Sequence, residues 1–275
     1  MKSEKSSALA VALIGVLLLA LSYPVLRWLI NQWLTNDYYS HGWLVLPVSA
    51  YLAWRRWPKG EWRPANAGLV VLGAGLVGYL VALINKAYFL AALALILLLI
   101  GLVWFFAGTR VLRRLAFPLG FLVFMVPLPF VERASLPLQL VTGICSTAVA
   151  RVVGVDAVVK GAQITLPNVD LVVGAQCSGL RSIVALFTLV AILVYVLDGP
   201  WWGRLLLVLS AIPVAILGNI VRVASLLWVA DTWGAGAGMT YYHDYSGVVF
   251  FVFAFALLVL LSRVFRCREI RADIL

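Results

Sequence analysis

The chain has 275 residues, 64% of them hydrophobic and only 12% charged, with a mean hydropathy of +1.05. Soluble domains are about 45–50% apolar and about 25% charged, so this composition excludes a water-soluble fold for most of the length. The net charge of +10 would suit a nucleic-acid binder. The cations, however, fall between apolar runs in the positive-inside pattern of a polytopic protein, which argues against that partner.

A bilayer-crossing helix needs about 20 apolar residues. On that measure the sequence predicts spans at 8–30, 41–54, 66–84, 87–107, 115–130, 179–197, 204–230 and 247–265. The expected fold is an all-α polytopic membrane protein of about eight transmembrane helices, within a range of six to eight. A single domain over 1–275 is expected. The first apolar run extends to Trp28 without a clear cleavage site, so it reads as a retained span. The second and fifth runs contain Pro47 and Pro118, Pro127 and Pro129, which suits tilted, broken or re-entrant segments.

Cytoplasmic termini put Arg55, Arg56, Lys59 and Arg63, then Arg110, Arg113 and Arg114, and finally Arg263, Arg266, Arg268 and Arg271 inside. The longest extracytoplasmic segment then covers 131–177. It is expected to hold an amphipathic interfacial helix over Glu132 to Arg151, then a hairpin from Ala157 to Val173 leading to Cys177.

Three cysteines are too few for a disulfide framework, and two histidines and three cysteines without ligand spacing give no metal site. No nucleotide loop is present, and no cofactor is expected. The run Gln176-Cys177-Ser178-Gly179-Leu180-Arg181-Ser182 opens the sixth apolar segment. A thiol at a helix N-terminus sits where unpaired N–H groups and the helix dipole favour thiolate. Arg222 lies inside the seventh segment, where an arginine costs roughly 2.5–3.5 kcal/mol and so needs a partner or water. Asn219 and Ser225 stand three residues to either side of it, which makes one polar helical stripe. His243, followed by Asp244, precedes the eighth segment, and His41 opens the second. Either imidazole could serve as a base near neutral pH. Arg181 can assist the thiolate, contact substrate or extend to the interface. The expected topology brings Cys177, Arg222 and His243 to one membrane face, as a nucleophile, a cation and an acid/base group for acyl transfer would require.

Three segments carry a resemblance: Cys177-Ser178-Gly179-Leu180-Arg181-Ser182, Gly218-Asn219-Ile220-Val221-Arg222 and His243-Asp244-Tyr245-Ser246-Gly247. With Tyr39-Ser40-His41-Gly42 and Met125-Val126-Pro127-Leu128-Pro129, they make the chain similar to the exosortase family of integral membrane proteases and transpeptidases. The resemblance implies a bacterial inner-membrane cysteine peptidase working at the periplasmic face. Its substrates would be membrane-anchored exported proteins bearing a C-terminal tail of Pro-Glu-Pro motif, hydrophobic helix and basic cluster. The acceptor would be water or a surface molecule, polysaccharide or lipid-linked. Cys177 would be the nucleophile, Arg222 the electrostatic stabiliser and His243 the proton carrier. Ser178, Gly179, Arg181, Asn219, His41 and Asp244 would support the site or bind substrate. Two rivals stand beside this reading. One is a transporter or channel binding an anionic solute through Arg222 and Arg181. The other is a non-catalytic assembly scaffold.

Overall fold

The computed structural model describes residues 2–58, 60, 62–161, 163–167, 169–172, 178–234, 236 and 242–271. The side chains of 2–14, 17, 18, 169–172, 243 and 244 lie outside that description. The chain is an all-α polytopic membrane protein made of two compact units, residues 1–127 and 128–275.

The first unit holds α1 (Lys2–Thr35), α2 (Gly42–Arg56), α3 (Ala67–Ile84), α4 (Tyr88–Ala107) and α5 (Thr109–Phe121), with α5 running into a 3-10 turn over Leu122–Met125. Helices α3 and α4 form its most intimate pair, and small residues are the reason. A Cβ on Gly101 would stand 2.6 Å from the Leu72 amide nitrogen, and one on Gly75 would stand 2.8 Å from that of Leu98. Backbones this close gain dispersion contacts that lipid alone would not supply. Gly101→Val should therefore force the pair apart at a cost of about 1–3 kcal/mol, seen as a lower thermal midpoint of the detergent-solubilised protein. Gly73→Ala, where a Cβ meets nothing within 4 Å, should leave the midpoint unchanged.

The proline-rich stretch is where the sequence reading needs correction. The span expected over 115–130 does not form, because α5 ends at Phe121 and gives way to the 3-10 turn before Pro127. Carbonyls freed by such a break need internal donors in an apolar setting. Side chains supply them. Ser49 Oγ donates to the Pro118 carbonyl (2.7 Å), Trp33 Nε1 to that of Met125 (2.9 Å), and His41 Nε2 lies 3.2 Å from that of Phe124.

The second unit holds α6 (Pro129–Arg133), α7 (Ser135–Val152), a meander of β1 (Val158–Lys160), β2 (Gln163–Leu166) and β3 (Val169–Val172), then α8 (Leu180–Val196), α9 (Trp201–Trp233) and α10 (His243–Val264). The expected hairpin is thus three antiparallel strands, with Val158 opposite Thr165 and Thr165 opposite Asp170. Leu197–Asp198 (β4) pairs with Glu269–Ile270 (β5) and ties the end of α8 to the segment after α10.

Helix α9 organises this unit. Its first half packs Leu207, Ala211 and Val214 against Leu186 and Val190 of α8 and Ala254 and Leu258 of α10. Its second half packs Val223, Leu227 and Ala230 against Ala150 of α7 and Ile164 and Leu166 of β2. Asn219 and Arg222 fall where the two cores meet.

Among the described residues, five helical segments have the length and hydropathy of a span: Ala67–Ile84, Tyr88–Ala107, Pro129–Val152, Trp201–Trp233 and Tyr245–Val264. That is fewer than the expected eight. Helix α2 has 15 residues, α8 has 17 and α5 has 13, and the span expected over 8–30 falls in α1, part of whose side chains lie outside the description. Conversely, the segment expected as an interfacial helix has a span's composition, and α7 packs along α9.

Candidate active site

The site is built on one face of α9. Asn219, Arg222 and Ser225 follow at intervals of three residues, so they stack along a single stripe. Asn219 is 4% exposed, and Arg222 and Ser225 are half-buried. Each position of the stripe meets a different piece of chain.

Asn219 meets the turn that opens α8. Gly179 caps that helix in the left-handed region (φ 76°), a conformation that glycine enters without a Cβ penalty. Any Cβ there would also stand 2.8–2.9 Å from the Asn219 side chain, so only glycine fits against it. On its other side the Asn219 Nδ2 donates to Thr142 Oγ1 of α7 (3.2 Å), and Thr142 is itself 2% exposed. Ser178, 2% exposed, accepts the Leu180 amide on its Oγ (3.2 Å) and so satisfies one donor of the first turn of α8.

Arg222 meets α10. A Cβ on Gly247 would lie 3.9 Å from Nη1. The guanidinium opens on a cleft between α8, α9 and α10 lined by Ser182, Leu186, Ala215, Gly218, Asn219, Gly247, Phe250, Phe251 and Ala254. Among the described residues no carboxylate forms a salt bridge with it. A charge held in an apolar, glycine-rich cleft acts strongly on any anion that enters, because little water competes.

Ser225 meets the residue before α10. Tyr242 O–H donates to Ser225 Oγ (2.7 Å), and that hydroxyl donates in turn to the Arg222 carbonyl (2.7 Å).

The candidate residues therefore divide by what the structure describes. Arg222, Asn219, Ser178 and Gly179 share this junction. Arg181, the second residue of α8, is exposed. Cys177 lies outside the described residues. His243 begins α10, while its side chain and that of Asp244 lie outside the description. His41 belongs to the first unit, directly before α2, with its ring 6.0 Å from that of Tyr39. A carbonyl can only accept, so the bond to Phe124 puts the proton on Nε2. Cys145 is a half-buried free thiol on α7. Cys267 is fully buried, and burial pushes its thiol above the ordinary value; the smaller effects of Arg204 (down) and Asp198 (up) oppose each other.

Sequence reasoning missed Thr142 and Tyr242. A signal for Thr142 was present in the small residues Thr142, Gly143, Ser146, Thr147 and Ala150, which are spaced as one buried helical face. Nothing comparable marks Tyr242.

Residues 33–260 match the family model described as transmembrane exosortase (Exosortase_EpsH). No curated protein and no solved structure matches the chain. The match spans most of the chain and all three segments that meet on the α9 stripe, and on that ground the chain belongs to the transmembrane exosortase family.

Proposed function

We propose that the chain is a membrane-embedded cysteine peptidase and transpeptidase that removes C-terminal Pro-Glu-Pro sorting tails through a thioester on Cys177. The observation that carries this reading is the α9 stripe: Asn219 touches the turn after Cys177, Arg222 sits in the middle, and Ser225 holds the residue before His243. Chain connectivity supports it too. Cys177 is two residues before Gly179, and two residues of extended chain reach at most about 7 Å.

In the reaction the Cys177 thiolate attacks the scissile carbonyl. A C–S bond forms and, as the tetrahedral intermediate collapses, the C–N bond breaks. His243 gives a proton to the leaving amine of the tail, then takes one from the incoming nucleophile, which attacks the thioester and restores the thiolate. Arg222 faces the negative charge that develops on the carbonyl oxygen. An amine or hydroxyl acceptor gives transfer; water gives hydrolysis.

Charge supports an orientation for this site. The β4–β5 end of the second unit carries Arg204, Arg263, Arg266, Arg268 and Arg271. Arg222 lies 18 residues beyond Arg204 on α9, about 27 Å of helix, close to the roughly 30 Å of a bilayer's hydrocarbon core. With the basic end in the cytoplasm, the stripe reaches the opposite face, the periplasmic side of a bacterial inner membrane. Exported, membrane-anchored substrates and a surface acceptor would meet it there.

Thioester capture tests the proposal. Purified full-length protein mixed with a tailed substrate should give a Cys177 peptide carrying the substrate fragment, and hydroxylamine should release it. Substrate cut at the normal rate after complete alkylation of Cys177 would sink the reading.

A further inference from the structure

The stripe on α9 has three members, and only the middle one is assigned to the chemistry. The outer two make contacts of a different kind. Asn219 is buried and fixed from both sides, by the Thr142 hydroxyl of α7 and by the Gly179 turn of α8. Asn219 Nδ2 donates to Thr142 Oγ1 while the same side chain fills the space a Cβ on Gly179 would need, so the two contacts together hold it between α7 and the start of α8. Ser225, one helical turn beyond Arg222, accepts from Tyr242 O–H while donating to the Arg222 carbonyl, which orients its hydroxyl. Each outer residue thus grips the chain next to one of the two groups assigned to the reaction.

We infer that Thr142 and Tyr242 are positioning residues: Thr142 sets the Cys177 turn through Asn219, and Tyr242 sets the start of the His243 helix through Ser225, so that one helix face registers both reacting groups on Arg222. This rests on the reading of Cys177 and His243 as the reacting pair. It goes beyond that reading in giving work to α7, a helix that the chemistry does not otherwise use. The physical reason for such a device is the short reach of acyl transfer. Reacting atoms must approach within about 3–3.5 Å, and a displacement of about 1 Å can cost roughly a hundredfold in rate. The two reacting groups are 66 residues apart in sequence, so alignment needs a common rigid element. Helix α9 is that element, since both cores of the unit pack on it.

The two arms have separate readouts in the full-length protein. Thr142→Val keeps the shape and removes the acceptor. It should lower kcat for a tailed substrate about tenfold with KM little changed, and slow iodoacetamide alkylation of Cys177 at neutral pH by a similar factor, because the turn loses its register on the N–H groups of α8. Thr142→Ser keeps the hydroxyl and should restore both. Adding Thr142→Val to Asn219→Ala should cost nothing further, as expected when one residue acts through the other. Tyr242→Phe should lower kcat about tenfold while alkylation of Cys177 stays at the wild-type rate. Should Thr142→Val fold poorly, the Thr142→Ser and Tyr242→Phe variants still carry the test. The inference is overturned if folded Thr142→Val and Tyr242→Phe keep the wild-type kcat, or if Thr142→Val and Asn219→Ala add independently. Failure of the cysteine reading would look different: Cys177→Ala would process substrate, whatever Thr142 does.

Discussion

Cys177→Ala should abolish tail cleavage while leaving substrate binding intact. Alanine removes the nucleophile and little else, so a tailed substrate should still associate with the protein and remain uncut. Cys177→Ser is the sharper variant. It keeps size and polarity, but a hydroxyl with a far higher pKa than a thiol is not ionised by a helix N-terminus. We expect a loss of roughly a thousandfold or more in kcat, the scale seen when a nucleophile is taken from a catalytic set that works as a unit. Alkylation of wild-type protein should reproduce that loss. Cys267 is buried, and replacing the half-buried free Cys145 by serine removes the other described thiol from this control. Processing at the wild-type rate by folded Cys177→Ala protein would remove the thioester mechanism.

How much of this was legible in the sequence depends on whether the signal was local. Long apolar runs were: the reading placed spans at 66–84, 87–107, 204–230 and 247–265, and the structure has helices at Ala67–Ile84, Tyr88–Ala107, Trp201–Trp233 and His243–Val264. Bilayer thickness dictates such lengths and leaves little choice. In the run at 115–130 the prolines pointed to a broken segment, which α5 and its 3-10 turn are, but not to Ser49, His41 and Trp33 as the groups that meet its carbonyls. The hairpin expected from Ala157 to Val173 is a three-stranded meander, because Leu166 stands opposite Val169 and β2 pairs with β3 as well as with β1. At the site, the Asn219–Arg222–Ser225 stripe was visible as a three-residue spacing. Its partners were not, since the bond from Asn219 to Thr142 joins residues 77 apart. An amphipathic pattern over Glu132 to Arg151 does not tell which helix its buried polar face meets.

Arg222→Lys is the second large effect expected, and it separates a catalytic arginine from one that only balances charge. Lysine keeps the positive charge but replaces a planar fork of five donors with a compact ammonium on a flexible stem. In this cleft the difference should matter. The guanidinium rests against Gly247 and faces small or apolar residues, among them Gly218, Ala215 and Phe250. The polar groups of the cleft, Ser182 and Asn219, would draw an ammonium to themselves and not towards a developing oxyanion. Removing one well-aimed donor from an oxyanion site costs about 10²–10³-fold in kcat, and we expect a loss of that order for Arg222→Lys, with KM little altered. Arg222→Met, which removes the charge as well, should be at least as impaired. Both variants should insert and express, since lysine leaves the segment with the charge it already carries and methionine relieves an insertion cost. If Arg222→Lys turned over substrate at close to the wild-type rate while Arg222→Met did not, charge alone would be the requirement, and the assignment of a directed oxyanion donor would fall.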